Sequence, residues 1–292
     1  MYNRKKVGLA LGGGGARGFA HLGILMTLEE HGIPIDIITG TSMGAAVGAV
    51  KALGMDLNKL YLLLSNLNLN EMLGVSESTT REIQRAIGRG VVEYVWGMDM
   101  EETTSLPERL ARMYELFSLL TAKKEFSETE IPFAVVAADL ATGERVLLNR
   151  GPIYRAVAAS AAVPGIFPPV RIDDRYLVDG GIIDKIPTDA AIEMGAEVVI
   201  AVDAGSPLTG KRTRTSIDVM FQSQRITSQA LTELQLKESK EQLNDGLILL
   251  KPQVSEITML SFSKFTQAVK AGREETLARL PEIRELCGIS AS

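Results

Sequence analysis

From Lys6 to Leu11 the chain reads KVGLAL, a short apolar run closed by glycines, as a buried strand should be. From Gly18 to His31 the apolar residues recur at helical spacing, with Phe19, Leu22, Ile24-Leu25 and Leu28 on one side. Gly32 stands where that helix would stop, and Pro34 follows it. Ile35 to Thr39 reads as a second strand, and Met43 to Leu53 as a helix of small residues ending at Gly54. Strand, glycine loop, helix, strand, turn and helix thus fill the first stretch of chain. That alternation predicts a parallel sheet with helices on its faces, an α/β fold.

The pattern changes between Asp56 and about Phe126. Leu57, Leu60-Tyr61, Leu64 and Leu67 form a helical stripe, and amphipathic pieces follow around Arg81–Ile87 and Leu106–Leu120. Met55, Met72, Met98, Met100 and Met113 are scattered through this stretch. It reads as a helical insertion over one end of the sheet, either a plain packed layer or a substrate lid. Strand patterns return at Pro132 to Ala138, with Arg145 to Leu148 as a hairpin partner across Ala141-Thr142-Gly143. Pro168 to Ile172 and Tyr176 to Val178 read as another pair, joined by Asp173-Asp174. A short helix at Asp189 to Met194 and a buried strand at Val198 to Val202 come next. The remainder predicts a long polar helix from Ser216 to Gln242, a strand from Leu247 to Lys251 and a terminal helix near Phe262 to Leu286. No internal repeat or low-complexity tract interrupts the series, and the whole of residues 1–292 reads as one domain.

Composition narrows the function. Apolar residues at 46% and charged residues at 23% are ordinary for a globular chain. The net charge of -5 argues against a nucleic-acid partner, because no positive field draws phosphates to the surface. The one basic cluster, Lys211-Arg212-Thr213-Arg214, reads as a solvated loop in preference to a lipid-headgroup contact. Cys287 stands alone, so an intrachain disulfide and a cysteine-built metal site are both excluded. The first residues are basic like a signal peptide, but four glycines cut the apolar run short and no small-residue cleavage site follows. Apolar stretches of about twenty residues are lacking, so no membrane span is predicted. A cytoplasmic protein is expected, with peripheral contact to a membrane left open.

Gly40-Thr41-Ser42-Met43-Gly44 matches G-x-S-x-G between a predicted strand and a predicted helix, the context of a nucleophile elbow. The N–H of Met43, at the start of the following helix, could stabilise negative charge on a substrate oxygen. By itself the pentapeptide serves equally as a turn with Ser42 as helix cap. Gly12-Gly13-Gly14-Gly15-Ala16-Arg17-Gly18 also follows a strand and opens a helix, so its N–H groups can converge on an anion. That anion is a nucleotide pyrophosphate or the oxyanion of a tetrahedral intermediate. The nucleotide reading needs an acid at the end of the second strand, and Asp36 stands at its start instead. The oxyanion reading uses both glycine motifs and is preferred.

A serine nucleophile needs a base, and the elbow-type order is serine, acid, histidine. The two histidines, His21 and His31, both precede Ser42, so a triad in that order is excluded. Asp179-Gly180-Gly181 follows a predicted strand, and its carboxylate could take the serine proton, although Asp-Gly is also a common turn.

In these residues the chain resembles the patatin-like phospholipases, which include neuropathy-target-esterase-type catalytic domains. The ordered set is G-G-G-x-R-G at Gly13 to Gly18, G-x-S-x-G at Gly40 to Gly44, and D-G-G at Asp179 to Gly181. Ala159 to Pro169, ASAAVPGIFPP, looks like the segment that precedes the family's D-G-G strand. The likeness covers roughly Lys5 to Gly205. It implies a three-layer α/β/α fold with a mainly parallel sheet. In that fold the core spans about 5–205, the helical insertion about 55–126, and C-terminal elements about 211–292. It also implies a dyad of Ser42 as nucleophile and Asp179 as base, with the N–H groups of Gly13, Gly14 and Gly15 as oxyanion hole. Arg17 would hold the loop in shape, and Gly18, Gly40, Gly44, Gly180 and Gly181 would serve the motifs' tight turns. One departure is visible: the family often has Asn two residues before the proline after D-G-G, whereas here Asp184 precedes Lys185-Ile186-Pro187.

The expected activity is hydrolysis of a lipid acyl ester through an acyl-enzyme on Ser42, without a cofactor or metal. Calcium dependence is not expected, since no D-x-D-x-D-G pattern is present. The alternatives are an acyltransferase using the same acyl-enzyme, a non-catalytic regulator on this fold, and a nucleotide-binding module.

Overall fold

The apolar run Val7–Leu11 forms strand β1, with every residue buried at the middle of a sheet. A computed structural model describes residues 4–67, 108–164, 166–205, 207–208 and 216–289. Around β1 stand β2 (Ile37–Thr41), β3 (Phe133–Asp139), β4 (Arg145–Leu148), β5 (Val170–Ile172), β6 (Arg175–Asp179), β7 (Val198–Val202) and β8 (Leu247–Leu250). The order is β5-β6-β3-β2-β1-β7-β8, and β4 pairs with β3 as the predicted hairpin. β3, β2, β1, β7 and β8 run parallel, while β4, β5 and β6 are joined by antiparallel pairing.

Alternation along the strands divides the core between the two faces. Leu9 and Leu11 of β1, with Val198, Ile200 and Val202 of β7, enter one large cluster. Helices α1 (Ala20–Glu30), α2 (Met43–Ala52), α5 (Ile153–Ser160) and α8 (Phe265–Leu286) share it. Ala10, Val199 and Ala201 turn to the other face, where α6 (Thr188–Glu193) and α7 (Ser216–Gln242) cover them through Ala191 and Leu236, with Leu243 just past the end of α7. The result is three layers, α/β/α. Fully burying a leucine such as Leu11 contributes about 1.5–3 kcal/mol, so the two clusters hold the layers together.

The described flanks of the insertion are packed helices. α3 (Leu57–Ser65) lays Tyr61 against Phe265 of α8, and α4 (Glu108–Leu120) sets Tyr114 edge-on to Tyr154 of α5. The pieces read around Arg81–Ile87, the methionines Met72, Met98 and Met100, and the basic cluster at Lys211–Arg214 lie outside the described residues. Two readings shift. β2 begins at Ile37 and runs through Thr41, two residues beyond the predicted strand, so it delivers the chain directly into Ser42. Ile153–Ser160 is a helix the sequence reading passed over, although Gly151-Pro152 before it is a start signal.

Candidate active site

Two strands meet end to end on one edge of β3. β2 pairs with Phe133 to Val136, and β6 pairs with Ala137 to Asp139. β4 pairs with Val135 to Ala138, so it holds the opposite edge. The last residue of β2, Thr41, faces Val136, and the last residue of β6, Asp179, faces the next position, Ala137. Ser42 and Asp179 are therefore brought together by register, one arriving on a parallel strand and the other on an antiparallel one.

The turn after β2 is tight. Ser42 has φ 55° and ψ -121°, a conformation that non-glycine residues rarely adopt. Gly44 is required beside it: a Cβ there would lie 2.1 Å from the Leu11 carbonyl oxygen. Helix α2 starts at Met43, so its positive end is directed at the serine. The Ser42 side chain makes no helix-capping bond, and the residue is 7% exposed.

Asp179 is also 7% exposed, and its Oδ1 accepts the N–H of Gly181 at 2.7 Å. Burial pushes its carboxyl up to about 6, against the opposing influence of the Ser42 side chain and the Gly181 N–H. No imidazole is among the groups acting on it. His21 is fully buried, pairs its Nε2 with the Gly12 carbonyl at 2.7 Å, and is pushed down to about 4 by desolvation. It is a neutral prop for the glycine loop. His31 caps the end of α1 through the Thr27 carbonyl.

The glycine loop passes against the serine, for a Cβ on Gly13 would come within 3.4 Å of the Ser42 Cβ. Its anchors are backbone bonds. The N–H of Gly12 donates to Val202 and that of Gly13 to Lys185, both at 3.0 Å, and Ala16 donates to Met259 at 2.8 Å. Of the three expected oxyanion donors, Gly13 directs its N–H to the Lys185 carbonyl in this structure. Gly14 and Gly15 lie between the anchors, and Gly15 takes φ +57°, where a side chain would be strained. A Cβ on Gly18 would meet Met43 at 2.5 Å, so this glycine lets the loop's helix press on the turn. Arg17 stands near Asp203 and Arg225; burial and the Arg225 charge lower its pKa while Asp203 raises it.

The segment after Asp179 is stitched to β2. Thr41 Oγ1 donates to the Asp184 carbonyl at 2.9 Å, and Thr39 Oγ1 to that of Pro187 at 2.7 Å. The departing Asp184 points its side chain to Arg145 at 3.3 Å, and burial lifts its carboxyl to about 6 despite that partner. Lys185 pairs with Asp203 at 2.8 Å. Asp36 lies at the other end of β2, ion-paired with Arg4 and accepting the Val7 N–H, so the nucleotide reading lacks its ribose ligand. Thr39, Thr41 and Ser160 escaped the sequence reading as site residues. For Ser160 a signal existed in the Ala159 to Pro169 motif.

Among the described residues no three His, Cys, Asp or Glu side chains group as a metal site would require. No described helix is long and apolar enough to cross a membrane.

Comparison with known proteins adds a family. An NTE family protein of Mycobacterium tuberculosis is 34% identical over 205 residues, which are 70% of this chain and 51% of that protein. Lysophospholipase NTE1 of Pyricularia oryzae is 26% identical over 306 residues, covering 96% of this chain and 19% of its own. The chain thus spans about half the length of the mycobacterial relative and a fifth of the fungal one. Among solved structures, VipD of Legionella pneumophila aligns with 96% of this chain and 67% of its own at TM-score 0.48 and 17% identity. ExoU aligns with 96% and 53% at TM-score 0.47 and 15% identity. Both scores are too low to bear on the fold. The family model for patatin-like phospholipase matches residues 9–192, which is more than half of the chain and includes all three motifs. The chain belongs to the patatin-like phospholipase family.

Proposed function

We propose that this protein hydrolyses acyl esters of lipids through a covalent acyl-enzyme on Ser42, with Asp179 as its base. The observation that carries the reading is a serine in a strained turn, facing a buried carboxylate whose pKa is raised to about 6. An ordinary aspartate near 3.9 is a poor base; one near 6 holds a proton roughly a hundredfold better and still ionises at neutral pH.

In the proposed cycle Ser42 Oγ attacks the ester carbonyl carbon while Asp179 takes the hydroxyl proton. The tetrahedral oxyanion is received by the N–H groups of Gly14 and Gly15, with Met43 N–H at the helix start. Each such donor is worth roughly 3 kcal/mol of transition-state stabilisation. The ester C–O bond breaks, Asp179 returns the proton to the departing alcohol, and Ser42 is left acylated. Asp179 then takes a proton from water as its oxygen attacks the acyl carbon, and serine leaves with that proton. Kinship with lysophospholipases supports a lysophospholipid or phospholipid as acyl donor.

The test is hydrolysis of short- and long-chain p-nitrophenyl esters by the wild type, Ser42→Ala and Asp179→Asn, with folding checked by circular dichroism. Loss of activity in both variants is expected. Activity surviving in a folded Ser42→Ala protein would sink the mechanism.

A further inference from the structure

One short stretch of chain touches both halves of the candidate pair. The hydroxyl of Ser160, fully buried at the end of α5, accepts the N–H of Ser42 at 2.7 Å and donates to the Val136 carbonyl at 2.5 Å. Two residues on, the Ala162 carbonyl accepts the N–H of Asp179 at 3.0 Å. The Ala159 to Pro169 motif, to which the catalytic proposal assigns no role, therefore holds the backbone of the serine and of the carboxylate at once.

The Ser160 bond has a specific place in the sheet. Ile38 N–H donates to the Pro132 carbonyl. Parallel rungs recur every two residues, so with this register the rung for Ser42 N–H is the Val136 carbonyl. The Ser160 hydroxyl sits inside that rung, taking the proton from one side and giving its own to the other. It keeps both backbone groups satisfied while holding Ser42 a hydroxyl's width away from β3. Space is thereby kept at the point where Asp179 enters opposite Ala137.

We propose that Ser160 is a positioning residue: its hydroxyl wedges open the last rung between β2 and β3 and so holds Ser42 in the conformation that faces Asp179. This rests on the reading of Ser42 as nucleophile. A backbone conformation as sparsely populated as that of Ser42 persists only where its surroundings over-determine it. Without the hydroxyl, Ser42 N–H either closes on Val136 and draws the serine toward β3, or stays buried and unpaired. Either outcome misaligns the hydroxyl with its base.

The experiment compares wild type, Ser160→Ala, Ser160→Cys and Ser160→Thr, each checked by thermal melting. The readouts are the fluorophosphonate labelling rate of Ser42, kcat and KM on a p-nitrophenyl ester, and hydrogen exchange of the Ser42 amide. Cys is close to Ser in volume but hydrogen-bonds weakly, which separates loss of the bond from loss of the fold. Ala and Cys should slow labelling and lower kcat about 10- to 100-fold with KM little changed, because only alignment is lost. Thr keeps the hydroxyl and should stay within about threefold of wild type. Labelling at the wild-type rate in Ala and Cys, or a folded Thr variant as slow as Ala, overturns the assignment. A wild type that takes no label counts against Ser42 as nucleophile instead. The wedge is then judged by the Ser42 amide: altered exchange in the Ala variant, faster if the N–H is left unpaired or slower if it closes on Val136, supports it, and unchanged exchange overturns it.

Discussion

Replacing Asp179 by Asn should abolish hydrolysis and yet make the protein harder to unfold at neutral pH. Burial lifts this carboxyl from an ordinary 3.8 to about 6. The folded chain then holds the Asp179 proton more tightly than the unfolded chain does. Its contribution to stability is fully present below about pH 4 and is lost as pH rises through about 6. Two pKa units correspond to about 3 kcal/mol, the penalty carried at pH 7 and above for keeping the charge buried. Asn carries no charge, its Oδ1 can still accept the Gly181 N–H, and its amide can donate to Ser42 Oγ. Allowing for imperfect replacement, about 1–3 kcal/mol of stabilisation is expected at pH 8, or several degrees in the melting midpoint. The difference should shrink toward zero near pH 4. Urea or thermal unfolding of both proteins at pH 5, 6, 7 and 8, at fixed ionic strength, measures it. Equal midpoints at pH 8, or a gap that does not change with pH, would refute the argument that burial drives the shift.

Three further outcomes follow from the same geometry. The kcat/KM of the wild type should rise with pH through a single ionisation at about 6, as Asp179 loses its proton; a profile flat down to pH 4.5 would contradict that role. Ser42→Gly should be inactive but more stable than Ser42→Ala by about 1 kcal/mol or more, because only glycine adopts φ 55° and ψ -121° without strain; chemical denaturation decides it. Arg145→Met should cost about 3 kcal/mol or more at pH 8, where it leaves Asp184 buried and charged without its partner. That cost should fall below pH 6, where Asp184 takes up a proton, and should be largely recovered by adding Asp184→Asn.

Local patterns carried much of the architecture into the sequence. Val7–Leu11 and Val198–Val202 read as buried strands because both faces of each are covered, and the covered faces leave a continuous apolar run. The ends of α2 were legible in Ser42 and Gly54, and the long α7 in its unbroken polar stretch between strands. Helix α5 was not: Ile153 to Ala158 was passed over, and only its last two residues, Ala159-Ser160, fall in the family-like segment. Ser42 and the glycine loop are legible because each occupies a turn that few residue types can form, and Asp179 because it stands at a strand end before two glycines.

How those turns meet was not legible. Nothing near Tyr176 in the chain says that β6 runs antiparallel to β3, or that it stops opposite Ala137, one residue beyond the end of β2. The commitment of Gly13 N–H to Lys185 depends on where the segment after Asp179 is held, and Thr39 and Thr41 of a different strand hold it. The bond from Ser42 N–H to the Ser160 hydroxyl joins residues 118 apart in the chain. The sequence by itself determined which residues can make a strained turn, an anion-binding loop and a buried strand, because those depend on side-chain size and backbone freedom over a few neighbours. Only the tertiary structure decided that the serine faces the carboxylate and how strongly that carboxylate holds its proton, because sheet register sets the one and burial by the packed layers sets the other.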